Sequence, residues 1–211
     1  MNIARALCGS LLVLVLSSGI AAAAKKLDCS GITVKGDHAL QTVTLPPASG
    51  ICKPTMSHGY PIPDPTCTPG AYNPSLTLAI LKRPAFGTKC VRDKASTPTA
   101  KAGTYDWYGI THPANNTGAT QMCELDHLVS LEIGGADTLD NIWPQCGPDA
   151  VTLKERFFKQ KDLVENFLAA QIRAGKMKLR DVQKGIGEDW TQYLPAATAY
   201  YKSHRTRNDG G

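Results

Sequence analysis

The chain has no Cys-x-x-Cys pair anywhere along its 211 residues. That excludes the common structural zinc sites, which gather thiolates at such spacings. It has no internal repeat, which excludes solenoids and propellers. Beyond residue 24 it has no apolar run approaching the roughly 20 residues that cross a bilayer.

At the N-terminus, Arg5 precedes a short apolar core, Leu11 to Leu16, and Ala22, Ala23 and Ala24 supply small residues for a cleavage site. Residues 1–24 therefore read as a signal peptide. The core is too short for an anchor, and Cys8 precedes it, which argues against lipid attachment. The expected mature chain, of about 187 residues, is long enough for one domain plus a small appendage. Its expected location is periplasmic or extracellular.

Six cysteines follow the leader: Cys29, Cys52, Cys67, Cys90, Cys123 and Cys146. An even count in an exported chain predicts three disulfides, among about 15 possible arrangements. Pairing of neighbours closes local loops and predicts Cys29–Cys52, Cys67–Cys90 and Cys123–Cys146. Residues 25–147 hold ten Lys/Arg and ten Asp/Glu, whereas residues 148–211 hold twelve against eight. The excess positive charge thus sits in the C-terminal third. It permits a polyanion partner without requiring one, since a solvated helical surface explains it equally well.

Residues 25–66 read as a loop-rich N-terminal extension. Ile32 to Val34 and Thr42 to Leu45 have β character, and prolines at 46, 47, 54, 61, 63 and 65 break it up. His38 and His58 read as surface or structural. Asn73-Pro74 predicts a helix start, with Leu76 to Leu81 as the helix. Residues 93–104 and 111–120 read as polar loops. Tyr105, Trp107 and Tyr108 form an aromatic knot expected in the core, as are Trp143 and Trp190. A long helix is expected from Pro148-Asp149 to Ala174, with Phe157, Val164, Phe167 and Leu168 at helical spacing and Gly175 ending it. A second begins at Leu179, carries Val182, Ile186 and Trp190, and is interrupted by Pro195. Residues 196–211 read as a basic, frayed tail.

Residues 124–145, ELDHLVSLEIGGADTLDNIWPQ, carry the chemistry. The pattern is strand, wide turn, strand, with Asp126 beside His127, then Gly134-Gly135, then Asn141-Ile142-Trp143-Pro144. Hydrolysing a phosphodiester requires an activated water, charge stabilisation at phosphorus and a held leaving oxygen. A histidine accepts the water proton near neutral pH, and an adjacent carboxylate can hold a divalent cation. Adjacent strand residues point to opposite faces, so both reach one phosphate only at a bulge or strand end. The Asn141 amide can bind the metal, orient His127 or fasten the loop.

These segments resemble the HNH endonuclease motif, a ββα-metal (His-Me) finger: Glu124 to Leu128, Leu131 to Gly135 and Asn141 to Pro144. Lys161-Asp162-Leu163-Val164-Glu165-Asn166 resembles a KD-x-V-E-N helix of small exported HNH-like proteins. Leu179, Gln183, Ile186 and Asp189-Trp190, with Thr68 to Ala71, Asn73-Pro74 and Cys90-Val91, extend the likeness over about residues 67–193.

The resemblance implies an α+β fold, a ββα-metal core over residues 67–195 with C-terminal helices; the disulfide-pinned extension at 25–66 lies outside the resemblance. It implies an exported endonuclease cutting DNA, or RNA, with little sequence preference. His127 would be the general base, Asp126 a metal ligand, and Asn141 the central motif residue with catalytic and metal-binding roles. The cofactor would be one divalent ion, Mg²⁺ first, with Mn²⁺ and Zn²⁺ as alternatives. The third motif position has no match, Ala150 falling near its spacing. Lys161 is the candidate phosphate contact, and Asp162 or Glu165 the acidic partner. Glu124 would support the site from the strand face of Asp126. Lys161 and Glu165 can equally form a helix-surface pair. Two rivals remain: an inactive scaffold serving as a binding module, and a zinc amidase recruiting His112.

Overall fold

Two small antiparallel hairpins and five helices make up the regular structure of the computed structural model, which describes residues 26–34, 40–92 and 98–208. The architecture is mixed α+β, as expected. The leader at 1–24, His38 and the last three residues of the tail lie outside the described residues. No helix among the described residues is long and apolar enough to cross a membrane.

Strands β1 (Thr55–Ser57) and β2 (Tyr60–Ile62) pair across His58-Gly59. Both turn residues have positive φ, the conformation that matches the twist of a two-residue hairpin. Ser57 Oγ donates to Asp189, and Trp190 Nε1 donates to Pro61 O, which ties this hairpin to the C-terminal helices. The strands expected at 32–34 and 42–45 do not form. The backbone N–H groups of Gln41, Thr42 and Val43 donate to the Asp140 carboxylate instead, and Thr33 bonds to Asn73 and Ser75 side chains. Side chains took the backbone groups a sheet would have used.

Helix α1 is confined to Leu78–Leu81, capped by Thr77. Asn73 makes an Asx turn to Ser75 rather than a helix cap. The expected loop at 93–104 is, from Pro98 on, helix α2 (Pro98–Trp107), with proline at the first position where its missing N–H is harmless. Strands β3 (Cys123–His127) and β4 (Ile142–Cys146) pair with Asp126 opposite Trp143 and His127 opposite Ile142. Helix α3 (Phe157–Arg173) starts well after Asp149. Ala150 adopts a left-handed φ, and Thr152 and Glu155 form a capping box on a short 3₁₀ turn, Leu153–Glu155. Helix α4 (Leu179–Asp189) precedes a 3₁₀ turn at Trp190–Tyr193. Pro195 lies in the first turn of α5 (Leu194–Asn208) and so opens that helix, and the expected frayed tail is helical through Asn208.

Val164, Phe167, Leu168 and Ile172 form the buried stripe of α3, packed on Val182, Ile186, Trp190 and Ala197 and on Val129 and Ile133 of the β3–β4 connection. A second cluster joins Trp107, Tyr108 and Trp143 to Leu128 and the Cys52–Cys67 bridge. The aromatic knot and both tryptophans are therefore core.

Cys123–Cys146 bridges directly opposed residues at the open end of β3–β4, as expected. The other two pairings correct the neighbour rule: they are Cys29–Cys90 and Cys52–Cys67. Asp64 accepts from Lys53 N and Thr66 N, closing the 52–67 loop on itself. Asp28 N donates to Ala85 O, and Arg83 reaches Ser30, which brings residue 29 to residue 90. Peptide mapping without reductant should recover these three bridges. A Cys29–Cys52 or Cys67–Cys90 peptide would contradict this arrangement.

Candidate functional site

The loop from β3 to β4 is held from inside. Asn141 is fully buried. Its Oδ1 accepts from Ala71 N at 3.1 Å and Val129 N at 2.9 Å, and its Nδ2 donates to Val129 O at 3.0 Å and Ala136 O at 2.8 Å. All four hydrogen-bonding positions of the amide are spent on backbone. Of its three expected roles, only loop fastening fits, which removes Asn141 from the metal ligands and from groups able to touch a substrate. Gly135 makes this closure possible: a Cβ there would lie 1.7 Å from Val129 O.

The fastened loop delivers Asp137 to His127. His127 Nε2 lies 2.7 Å from Asp137 Oδ1, and Lys101 Nζ lies 2.6 Å from the same oxygen. Burial would raise the Asp137 pKa, but its bonds to His127 and Lys101 outweigh that and hold it well below the carboxylate range. Asp137 is therefore an acceptor, so Nε2 carries the proton and Nδ1 keeps its lone pair. Among the described residues, Nδ1 makes no hydrogen bond. Burial lowers the His127 pKa, more than the Asp137 bond raises it. The ring is thus neutral at neutral pH with a basic nitrogen at Nδ1.

His127 is the last residue of β3, so it and Asp126 both reach one cleft, the strand-end condition anticipated above. The cleft, of about 200 Å³, is lined by Glu124, Asp126, His127, Glu132, Asp162 and Glu165, with Arg92 the cation on its wall. Beneath it Lys161 is fully buried. Its ammonium donates to His127 O at 2.7 Å, pairs with Glu165 and lies 2.8 Å from Asp126 Oδ2. Asp126 Oδ2 is buried and receives that charge without a directed hydrogen bond.

Lys161 is accordingly neither a phosphate contact nor part of a surface pair, because its charge is consumed inside the protein. Burial would lower its pKa, but Asp126 and Glu165 hold it above the lysine range. Burial raises the Glu165 carboxyl, against the pull of Lys161. Burial and the neighbouring Asp126 and Asp162 also raise Glu124. At the rim, Lys159 Nζ lies 2.7 Å from Asp162 and 3.9 Å from Glu124. The structure therefore brings Glu124, Asp126, His127, Asp162 and Glu165 together and sets Asn141 and Lys161 behind them.

Among the described residues, no group of three His, Cys, Asp or Glu side chains is placed to hold a metal ion. The cleft offers Asp126, whose Oδ2 faces Lys161, and Glu165 next to it across Lys161. That donor set fits a hydrated Mg²⁺, which is commonly held by one or two carboxylates and phosphate oxygens. It does not fit zinc, which takes three or four protein donors. His112 packs edge-on against Tyr105 and is absent from the cleft lining, so the amidase rival loses its second histidine.

Sequence reasoning missed Asp137 and Lys101. The Asp- and Thr-rich loop after Gly135 was the available signal for Asp137. Lys101 had none, because its helix reads as a loop. Comparisons of the chain with protein-family models, curated proteins and solved structures found no match.

Proposed function

We propose that the chain is an exported, metal-dependent endonuclease with a ββα-metal (HNH-like) core, hydrolysing phosphodiester bonds of DNA, with RNA as the alternative substrate, at low sequence preference. The observation that carries this reading is His127: neutral, held by Asp137 through Nε2, and lining the same cleft as Asp126. The hairpin β3–β4 followed by α3 supplies the strand-strand-helix order. Three disulfides fit an oxidising compartment.

His127 Nδ1 takes the proton of the attacking water. The Asp137 carboxylate steadies the imidazolium so formed, and Lys101 keeps Asp137 ionised and aimed. Asn141 and Gly135 hold the loop that presents Asp137. A divalent ion bound at Asp126 and Glu165 would supply charge stabilisation for the phosphate and the departing oxygen. Lys161 keeps these two carboxylates close to each other despite their burial.

Purified, oxidised chain should nick supercoiled plasmid in Mg²⁺ or Mn²⁺ and leave it intact in EDTA. Plasmid left intact under every metal would remove the enzyme reading. A second reading, an inactive binding scaffold, draws on Lys161, whose ammonium already pairs with both Asp126 and Glu165. It predicts DNA retention that is indifferent to metal, and no nicking.

The pH dependence follows from His127. Because its folded pKa lies below the usual 6.5, the rate should hold down to about pH 6.5 and fall only below it. Asp137→Asn removes the charge that favours imidazolium, so the acid limb should move lower still. The amide can also impose the wrong tautomer, so the plateau rate should drop by about a hundredfold or more, within the range of a general base's contribution. An acid limb moving upward in this variant would contradict the dyad.

A further inference from the structure

Five carboxylates line the cleft, and a phosphodiester entering it brings a negative charge of its own. The lysines around them are already committed. Lys161 pairs with Asp126 and Glu165, Lys159 with Asp162, and Lys101 with Asp137 behind the histidine. Arg92 is the cation of the lining, and it has no hydrogen bond or ion pair among the described residues. Its backbone is nevertheless fixed. Arg92 follows closely on a 3₁₀ turn, Thr88–Cys90, whose Thr88 also lines the cleft. Cys90 is bridged to Cys29, and Val91 is fully buried in one cluster with Leu131, another lining residue. Leu27 packs over Gly87, where a Cβ would lie 2.9 Å from its Cδ2. A disulfide and core packing thus hold this wall of the cleft, while Arg92 itself stays exposed.

We infer that Arg92 is a substrate-binding residue, whose guanidinium grips the phosphate presented to His127. The inference takes its substrate class from the phosphodiesterase reading above. An exposed arginine is ordinarily a solvated surface cation. Arg92 differs in sharing a cleft of about 200 Å³ with His127 and Asp126, and in being paired with none of the five carboxylates there. The guanidinium is a planar fork of donors that matches two oxygens of one phosphate, which an ammonium cannot do. Left unpaired, that fork is available to the non-bridging oxygens, and its charge offsets the repulsion of the acidic lining.

Two readouts on the full oxidised chain test it. The first is plasmid nicking in Mg²⁺. Arg92→Gln should lower kcat/KM by about tenfold to a hundredfold, the range of a lost charge-assisted hydrogen bond, with the Mg²⁺ dependence of the rate little changed. Arg92→Lys, which keeps the charge and loses the fork, should fall between Arg92→Gln and wild type. Lys89→Gln removes an exposed cation of the same turn that is absent from the lining, and it should nick like wild type. The second readout is binding of a labelled mixed-sequence single strand by the His127→Ala chain in Mg²⁺, where cleavage does not compete. Adding Arg92→Gln should weaken binding by a similar factor and lower the log–log salt slope by about 0.7, the size of one phosphate contact. Adding Lys89→Gln should change neither.

An equal loss in Lys89→Gln overturns the inference, because the effect would then be one of general surface charge. A shifted Mg²⁺ requirement with KM for DNA unchanged also overturns it, because Arg92 would then act on the carboxylates. Nicking by the wild type, with Arg92→Gln indifferent in rate, affinity and slope, removes the phosphate contact and keeps the nuclease. The full binding pattern without any nicking removes the nuclease and keeps Arg92 as a phosphate contact. Neither binding nor nicking removes both.

Discussion

Replacing His127 with alanine is expected to lower the Mg²⁺-supported rate of plasmid nicking by about a thousandfold, within the range of a lost general base. The size of the effect follows from the surroundings of the ring. His127 is the histidine of the cleft lining, and its Nδ1 lone pair is held ready at neutral pH by Asp137 on the far side. Apart from Arg92, the other titratable side chains of the lining are carboxylates. His127→Gln is the better-matched control, because its amide nitrogen falls near the Nε2 position and can still donate to Asp137 while offering no base. Circular dichroism and the thermal midpoint separate loss of chemistry from loss of fold. Either variant retaining activity within a few fold of wild type, with its fold intact, would show that another group activates the water.

Asn141→Asp should have the largest effect on stability. The carboxylate can still accept from Ala71 N and Val129 N, but it cannot donate to Val129 O and Ala136 O. Two buried carbonyls would lose their donor and face a negative charge. Each orphaned carbonyl costs about 1–3 kcal/mol, so the variant should lose about 2–6 kcal/mol in total. A domain of this size shifts by roughly 2–4 °C per kcal/mol, which places the thermal midpoint about 4–24 °C lower. A metal-binding role predicts the opposite, because a carboxylate is a stronger Mg²⁺ ligand than an amide and would tighten metal binding with little change in stability. Thermal melting and Mg²⁺ titration of one variant therefore decide between the two roles of a single residue.

The β3–β4 hairpin was legible because its signals are local. Alternating residues, an adjacent pair of glycines and a returning Asn-x-Trp-Pro fix strand, turn and strand within one window. Gly135 is the clearest case, since Val129 O leaves no room for a Cβ. Cys123–Cys146 was legible for the same reason. Cys29–Cys90 was not, because it depends on the Asp28–Ala85 and Arg83–Ser30 contacts between distant segments. The start of α3 was misplaced because Ala150 and the Thr152–Glu155 box break the helical path where composition alone reads on.

Within the site, Asp126, His127 and Glu165 were visible as residue types at a spacing, but their roles depended on partners elsewhere. Lys161 looked like a surface cation until burial beneath β3 assigned its charge to Asp126 and Glu165. Asp137 acquires its function only when Asn141 folds the loop back. Lys101 reaches that carboxylate from α2, a helix that the polar composition of its segment concealed.

The proposed chemistry depends most directly on the protonation state of His127, which long-range ¹H–¹⁵N correlation of the oxidised chain reads without any substrate. The account predicts, at neutral pH, a proton on Nε2, a free lone pair on Nδ1, and a titration midpoint below 6.5. A proton resident on Nδ1, or a midpoint above 6.5, would contradict it.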